Sequence, residues 1–171
     1  SNLYDASCDG TWLLRKDIHS ERQWNSSNVN DYANSTINTW LNGDFFNSFG
    51  SVEQAAIKQV KIPYRAGGGS DQSGANGLLC KIFLLGGYEV GFTTSDNTYF
   101  PADGAKLDYF DASSSKRIAY LNGLETIWWL RSPRTDGTRR AWCVQSIGIL
   151  GGGDTSDLGG IRPALVLPSN A

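Results

Sequence analysis

Three short apolar runs close the chain, at 126–130, 141–149 and 161–167, and polar, glycine-rich segments separate them. Runs of this length, rich in Trp, Val and Ile and bounded by Gly and Pro, read as strands. Pro163 puts the last run at a sheet edge or a bulge, because proline has no N–H to give a ladder.

The same reading extends toward the N-terminus. Residues 11–15 (TWLLR) form a short strand, and polar residues dominate from 17 to 34. Ser35 is a good helix cap, followed by Ile37, Trp40 and Leu41 at the spacing of one helical face, with Gly43 placed to end that helix. Ser51 and Gln54 stand three apart as a capping box ahead of a second short helix. Val60, Ile62 and Tyr64 alternate as in a half-buried strand, and 65–77 is a loop. Residues 80–85 are a compact apolar run with the look of a central strand. From 86 to 115 the chain is rich in Gly, Asp, Thr and Ser, which gives long connections with little regular structure. No period repeats and no linker divides the chain. The expected architecture is one α+β domain over 1–171, with two short helices packed on small antiparallel sheets and long loops.

Composition narrows the function. With 171 residues, 40% hydrophobic and 19% charged, the chain can enclose a real core. A formal net charge of −2 disfavours nucleic acid as a partner. No apolar run is long enough to span a bilayer, so direct membrane insertion is not expected. Ser1-Asn2 reads as a tag remnant and Met is absent, which fits an excised fragment. Cys8, Cys80 and Cys143 are an odd number without close pairing; they read as small buried hydrophobes, with one disulfide plus a free thiol as the alternative.

Catalytic signals are thin. His19 is the single histidine, and it lies in a polar stretch where a solvated or locally hydrogen-bonded side chain is the plain reading. No Gly-x-Ser-x-Gly elbow occurs, and Gly67-Gly68-Gly69-Ser70 lacks the Gly-Lys-Ser/Thr ending of a phosphate loop. Gly151-Gly152-Gly153-Asp154 is like one calcium-binding nonapeptide repeat, but such sites need tandem copies. A lone copy reads as a turn, with Asp154 and Asp157 as the only carboxylates available for an oxygen-ligated ion. No metal, cofactor or catalytic residue is assigned. Arg131, Arg134, Arg139 and Arg140 form a basic cluster, a solvated face or an anion clamp.

Several motifs carry a family resemblance. Residues 32–46 (YANSTINTWLNGDFF), 80–89 (CKIFLLGGYE), Trp128–Pro133 (WWLRSP) and 160–165 (GIRPAL) together resemble a large bacterial family of unassigned function, common in gut Firmicutes and their phages. The match runs from about Thr11 onward. The resemblance implies a C-type lectin-like fold related to the formylglycine-generating enzymes, in which WWLRSP and GIRP are framework. The enzyme branch uses a pair of cysteines near the C-terminus, whereas here only Cys143 lies in that region, which argues against oxidase activity. Family members occur on secreted or surface proteins, so an extracellular, cell-surface or phage-particle location follows. Some resemble variable proteins diversified by retroelements.

Retroelement mutagenesis scatters adenine-containing codons, and Asn is absent from 123 to 169 although frequent earlier. Between Pro133 and Arg162 there is also no Lys, Glu or Met, and the codon of Trp142 holds no adenine. The expectation is therefore a framework of 11–133 and 160–167 around a variable segment, 134–159. The ligand-binding residues expected there are Arg134, Thr135, Asp136, Thr138, Arg139, Arg140, Trp142, Gln145, Ile147, Leu150, Asp154 and Asp157. Trp142 is the aromatic anchor, 134–140 one loop and 151–160 another. One face of 141–149 presents Trp142, Val144 and Ser146 and the other Cys143, Gln145 and Ile147; which is exposed stays open. The reading is a non-enzymatic, receptor- or adhesin-type module for a protein or glycan ligand. A structural domain of a larger surface protein is the alternative, and a formylglycine-type enzyme a weaker one.

Overall fold

A computed structural model describes residues 3–111 and 113–170; Ser1 and Asn2, read above as a tag remnant, lie outside them. The strands are β1 (Thr11–Leu14), β2 (Ser20–Gln23), β3 (Val60–Ile62), β4 (Tyr64–Ala66), β5 (Ser70–Gln72) and β6 (Leu78–Cys80). They continue with β7 (Tyr120–Leu121), β8 (Leu124–Glu125), β9 (Trp128–Pro133), β10 (Arg140–Val144), β11 (Leu150–Asp154), β12 (Leu158–Ile161) and β13 (Ala164–Leu167). Two short helices, α1 (Thr36–Trp40) and α2 (Ser51–Ala56), complete a mixed α+β fold of small sheets.

Ser35 caps α1 as its sequence requires, its Oγ accepting from the Asn38 N–H at 3.2 Å. Gly43 does not end the helix. The chain continues through a π-helical turn, Leu41–Phe45, because Ile37, Leu41 and Phe45 keep one buried face. The capping box at Ser51 also fails. Gly50 is the cap, which moves Gln54 out of reach of the box position, and its Nε2 donates instead to the Phe49 carbonyl at 2.7 Å.

The centre is a five-stranded sheet in the order β11-β10-β9-β12-β2, antiparallel except for β9 with β12. Apolar side chains bury both of its faces. Trp128, Leu130, Trp142 and Val144 pack into one core cluster with Phe83 and Phe100; Trp129, Ala141, Cys143 and Ile161 pack into another with Trp24, Ile37 and Leu41. Neither face of β10 is therefore a display face.

Residues 82–85 are buried as expected, but they are not a central strand. Phe83 alone bridges to Ala164. Side chains satisfy the neighbouring backbone: Asn42 Oδ1 accepts from the N–H groups of Lys81 and Ile82, and the Tyr32 hydroxyl from Leu84. The expected loop at 151–160 is also two strands, β11 and β12, joined by a tight turn. Gly159 and Gly160 are packed tightly: a Cβ would stand 2.5 Å from Trp129 Nε1 at the first and 2.5 Å from the Ile127 carbonyl at the second. Pro163 divides the last apolar run between β12 and β13, which lie in different sheets.

Every residue of β9 (WWLRSP) is buried, which gives the motif a structural role. Pairing with β10 shifts between Ala141 and Cys143, so β9 bulges at its middle and turns Arg131 and Ser132 into a polar centre. Arg131 donates through Nη1 and Nη2 to Glu89 and through its remaining capacity to the carbonyls of Pro63, Leu84 and Asp103. The Ser132 hydroxyl bonds to the Asp103 carboxyl at 2.8 Å.

Burial pushes the Asp103 carboxyl up to about 7, against the pull of Arg131 and Ser132. Its folded value lies above the 3.8 of an ordinary aspartate, so the fold holds this proton more tightly than the unfolded chain does. The stability it confers is complete below 3.8 and is lost as pH rises through about 7. Asp103→Asn is expected to remove that slope. Urea unfolding across this range should show wild type losing stability relative to the variant, and parallel curves would contradict the assignment.

Candidate functional site

The connection between β9 and β10 is where exposure begins. Asp136, Gly137, Thr138, Arg139 and Arg140 are exposed, Arg134 and Thr135 half-buried, and the strand residues on either side are buried. The backbone of this loop is held by groups outside it. Asn30 donates from its side chain to the carbonyls of Arg134, Gly137 and Arg140 at 3.2, 3.0 and 2.9 Å, and from its N–H to Thr138 at 2.8 Å. The Thr135 N–H reaches the Tyr99 carbonyl at 3.0 Å.

The turn between β11 and β12 is braced in the same way. Gln23 donates to the Ser156 carbonyl, Asn28 accepts from Ser156, and the Ser27 carbonyl accepts from Thr155. Residues 23–30 thus hold both turns through backbone contacts and a few short side chains. The long side chains at 138–140 and 157 take no part in that holding.

Electrostatically the end is mixed. Arg134 and Asp136 form a two-point pair at 3.0 and 2.7 Å, and hydrogen bonds from Arg134 hold the Asp136 carboxyl below the usual range. Arg134 also lies over the Trp142 ring at 4.8 Å. Arg140 and Arg139 approach Asp154 only loosely, at 3.6 and 4.0 Å, with most of each guanidinium side chain in solvent. Such exposed pairs contribute little to folding and stay available to a ligand. A polar cleft of about 320 Å³ separates the loop from the β4–β5 turn, lined by Arg65, Gly68, Thr135 and Thr138 with Asn30. Among the described residues, no group of three His, Cys, Asp or Glu is arranged to hold a metal.

The expected site residues do not form one surface. Arg134, Thr135, Asp136, Thr138, Arg139, Arg140, Asp154 and Asp157 gather at this end. Gln145, Ile147 and Leu150 lie around the β10–β11 turn, the length of β10 away, about 17 Å at ~3.3 Å per residue. Trp142 lies between them and is no surface anchor: it is 3% exposed, stacks near Phe100 at 4.9 Å, and donates from Nε1 to the Tyr99 carbonyl. The inward pleat of β10 buries it.

Two residues at this end escape the sequence reading. Tyr99 is 44% exposed, 5.8 Å from the Arg134 guanidinium, and supplies the surface aromatic that Trp142 does not. Asn30 is the brace. Neither has a sequence signal, since each sits in an irregular polar segment without period.

His19 is exposed, hydrogen-bonded to Ser20 and packed against Phe45 and Trp40. All three cysteines are free and buried. Among the described residues no helix is long and apolar enough to cross a membrane.

No curated protein and no solved structure matches the chain. Residues 9–169 match the model of the family described as Domain of unknown function (DUF6273), and the chain belongs to that family.

Proposed function

We propose that this domain is a non-enzymatic binding module of receptor or adhesin type, with a C-type lectin-like fold, whose ligand surface is the loop end around 134–140. Thr138, Arg139, Arg140, Asp154 and Asp157, with Tyr99 beside them, contact a protein or glycan presented at a cell surface. The observation that carries this reading is the Asn30 brace. A loop whose backbone is fixed by a residue outside it can change its exposed side chains without unfolding the frame.

That arrangement also supports diversification by a retroelement within 134–159, on a protein of a cell surface or phage particle. Trp142, whose codon has no adenine, is buried against Phe100, so packing opposes its replacement. Catalysis has no support from the thiols: burial pushes Cys143 up to about 12, far from thiolate chemistry at neutral pH.

The test is a glycan and surface-protein array probed with wild type and with a Thr138→Ala, Arg139→Ala, Arg140→Ala, Asp154→Ala variant. Wild type is expected to give hits that the variant loses, while the melting temperature moves by no more than about 4 °C. Hits retained by the variant, or a variant that no longer folds, would contradict the surface assignment. An array without hits favours a structural domain of a larger surface protein. Diversification is tested by the neighbouring DNA, where a reverse transcriptase gene and an adenine-rich copy of codons 134–159 support it and a locus with neither contradicts it.

A further inference from the structure

Two arginines are buried in this domain, and the fold treats them differently. Arg131 has an acceptor at each of its nitrogens and a carboxylate opposite. Arg162 is only 3% exposed, yet its Nη1 has no hydrogen-bond partner. Its Nε donates to the Arg15 carbonyl at 2.8 Å, and the guanidinium lies 4.9 Å from the centre of the Trp128 ring. No carboxylate forms an ion pair with it among the described residues. Asp17 acts on it only from beyond contact distance. A buried guanidinium with no carboxylate in contact is costly, and a ring face offsets only part of that cost.

Arg162 also lines a cleft of about 560 Å³, walled by Trp12, Leu14, Leu85, Tyr109 and Phe110. That volume falls in the range of small-molecule sites, roughly 300–1,000 Å³. The walls are mostly apolar. Lys16 adds a second cation to the lining and Asp108 one anion, so the cleft carries a net positive charge.

We propose that this cleft is a second binding site, separate from the loop end, for a small ligand with an apolar body and one carboxylate, which Arg162 holds. Apolar walls with one free donor on a planar cation match a carboxylate, whereas a phosphate needs more donors than the cleft offers. Nη1 exposes less than 1 Å². Tyr109 is 55% exposed, sits on a turn and lines the cleft with Arg162, so binding includes an outward swing of its side chain.

The test titrates the unaltered chain with 3-phenylpropanoate and with its neutral amide, following the Trp12 indole N–H by NMR. The acid is expected to saturate at about 1 mM and to bind at least about tenfold tighter than the amide. Arg162→Gln should abolish that preference, and Tyr109→Ala should preserve or strengthen it. The acid–amide comparison needs no variant, so it stands whether or not Arg162→Gln folds. A dipeptide ending in a free Phe carboxylate separates two sources: tighter binding than phenylpropanoate assigns a chain end, weaker binding a free small acid. Equal binding of acid and amide overturns the site. So does an absence of saturation at about 10 mM, or perturbation confined to the 134–140 loop.

Discussion

Glu89→Ala is expected to cost about 3–5 kcal/mol, most of the stability of an ordinary domain. Glu89 and Arg131 have no exposed side-chain surface, and they meet through two hydrogen bonds, the longer at 3.0 Å. Removing the carboxylate leaves the guanidinium charge buried beside Asp103, whose burial already favours its neutral form. It also strands the Tyr4 hydroxyl and the Gly86 N–H, which donate to Glu89 at 2.7 Å each. Desolvation, not the lost attraction alone, sets the size of the effect. Replacing both partners, Glu89→Met with Arg131→Met, should therefore recover part of the loss. Urea unfolding measures both. A single variant within about 1 kcal/mol of wild type would mean that water reaches the pair.

Trp142→Ala is expected to cost a similar ~3–5 kcal/mol. The ring fills the core against Phe100 and lies beneath the Arg134 guanidinium, so truncation opens a cavity and frees the loop's first side chain. Trp142→Phe should lose less, since it keeps most of the apolar volume and gives up the bond to the Tyr99 carbonyl. The contrast with a surface anchor is direct: truncating an anchor abolishes binding and leaves melting unchanged. Here melting should fall first. A Trp142→Ala variant that melts with wild type would restore the tryptophan to the ligand surface.

Local chemistry made part of this fold legible. Ser35 announces a helix because a cap needs only its own neighbours, and β1 and β3 follow from short apolar and alternating runs; the alternation through Tyr64 hides a break, since β4 pairs with β5 in a hairpin that runs into 65–77, which reads as a loop. Gly43 and Ser51 mislead for the complementary reason: tertiary packing of Phe45 and a one-residue shift of the cap decide those ends. The glycines at 151–160 look like a loop because composition cannot distinguish a glycine that bends from one that admits Trp129. At the candidate site, the loop 134–140 shows itself by polarity. The burial of Trp142 does not, because a strand between two cores and a strand on a surface share one alternation. Asn30 and Tyr99 are invisible to periodicity, since their role comes from contacts more than thirty residues away in sequence.

The central claim is that a rigid frame, braced by Asn30, carries side chains that are free to change. Thermal unfolding of two variants tests it directly. One replaces Asp136, Thr138, Arg139, Arg140 and Asp157 together with serine, and the other is Asn30→Ala alone. The fivefold variant is expected to melt within about 4 °C of wild type, while Asn30→Ala, which takes a side-chain donor from three loop carbonyls, falls by more than that. The reverse order, with the surface replacements costing more than the single asparagine, would contradict the account.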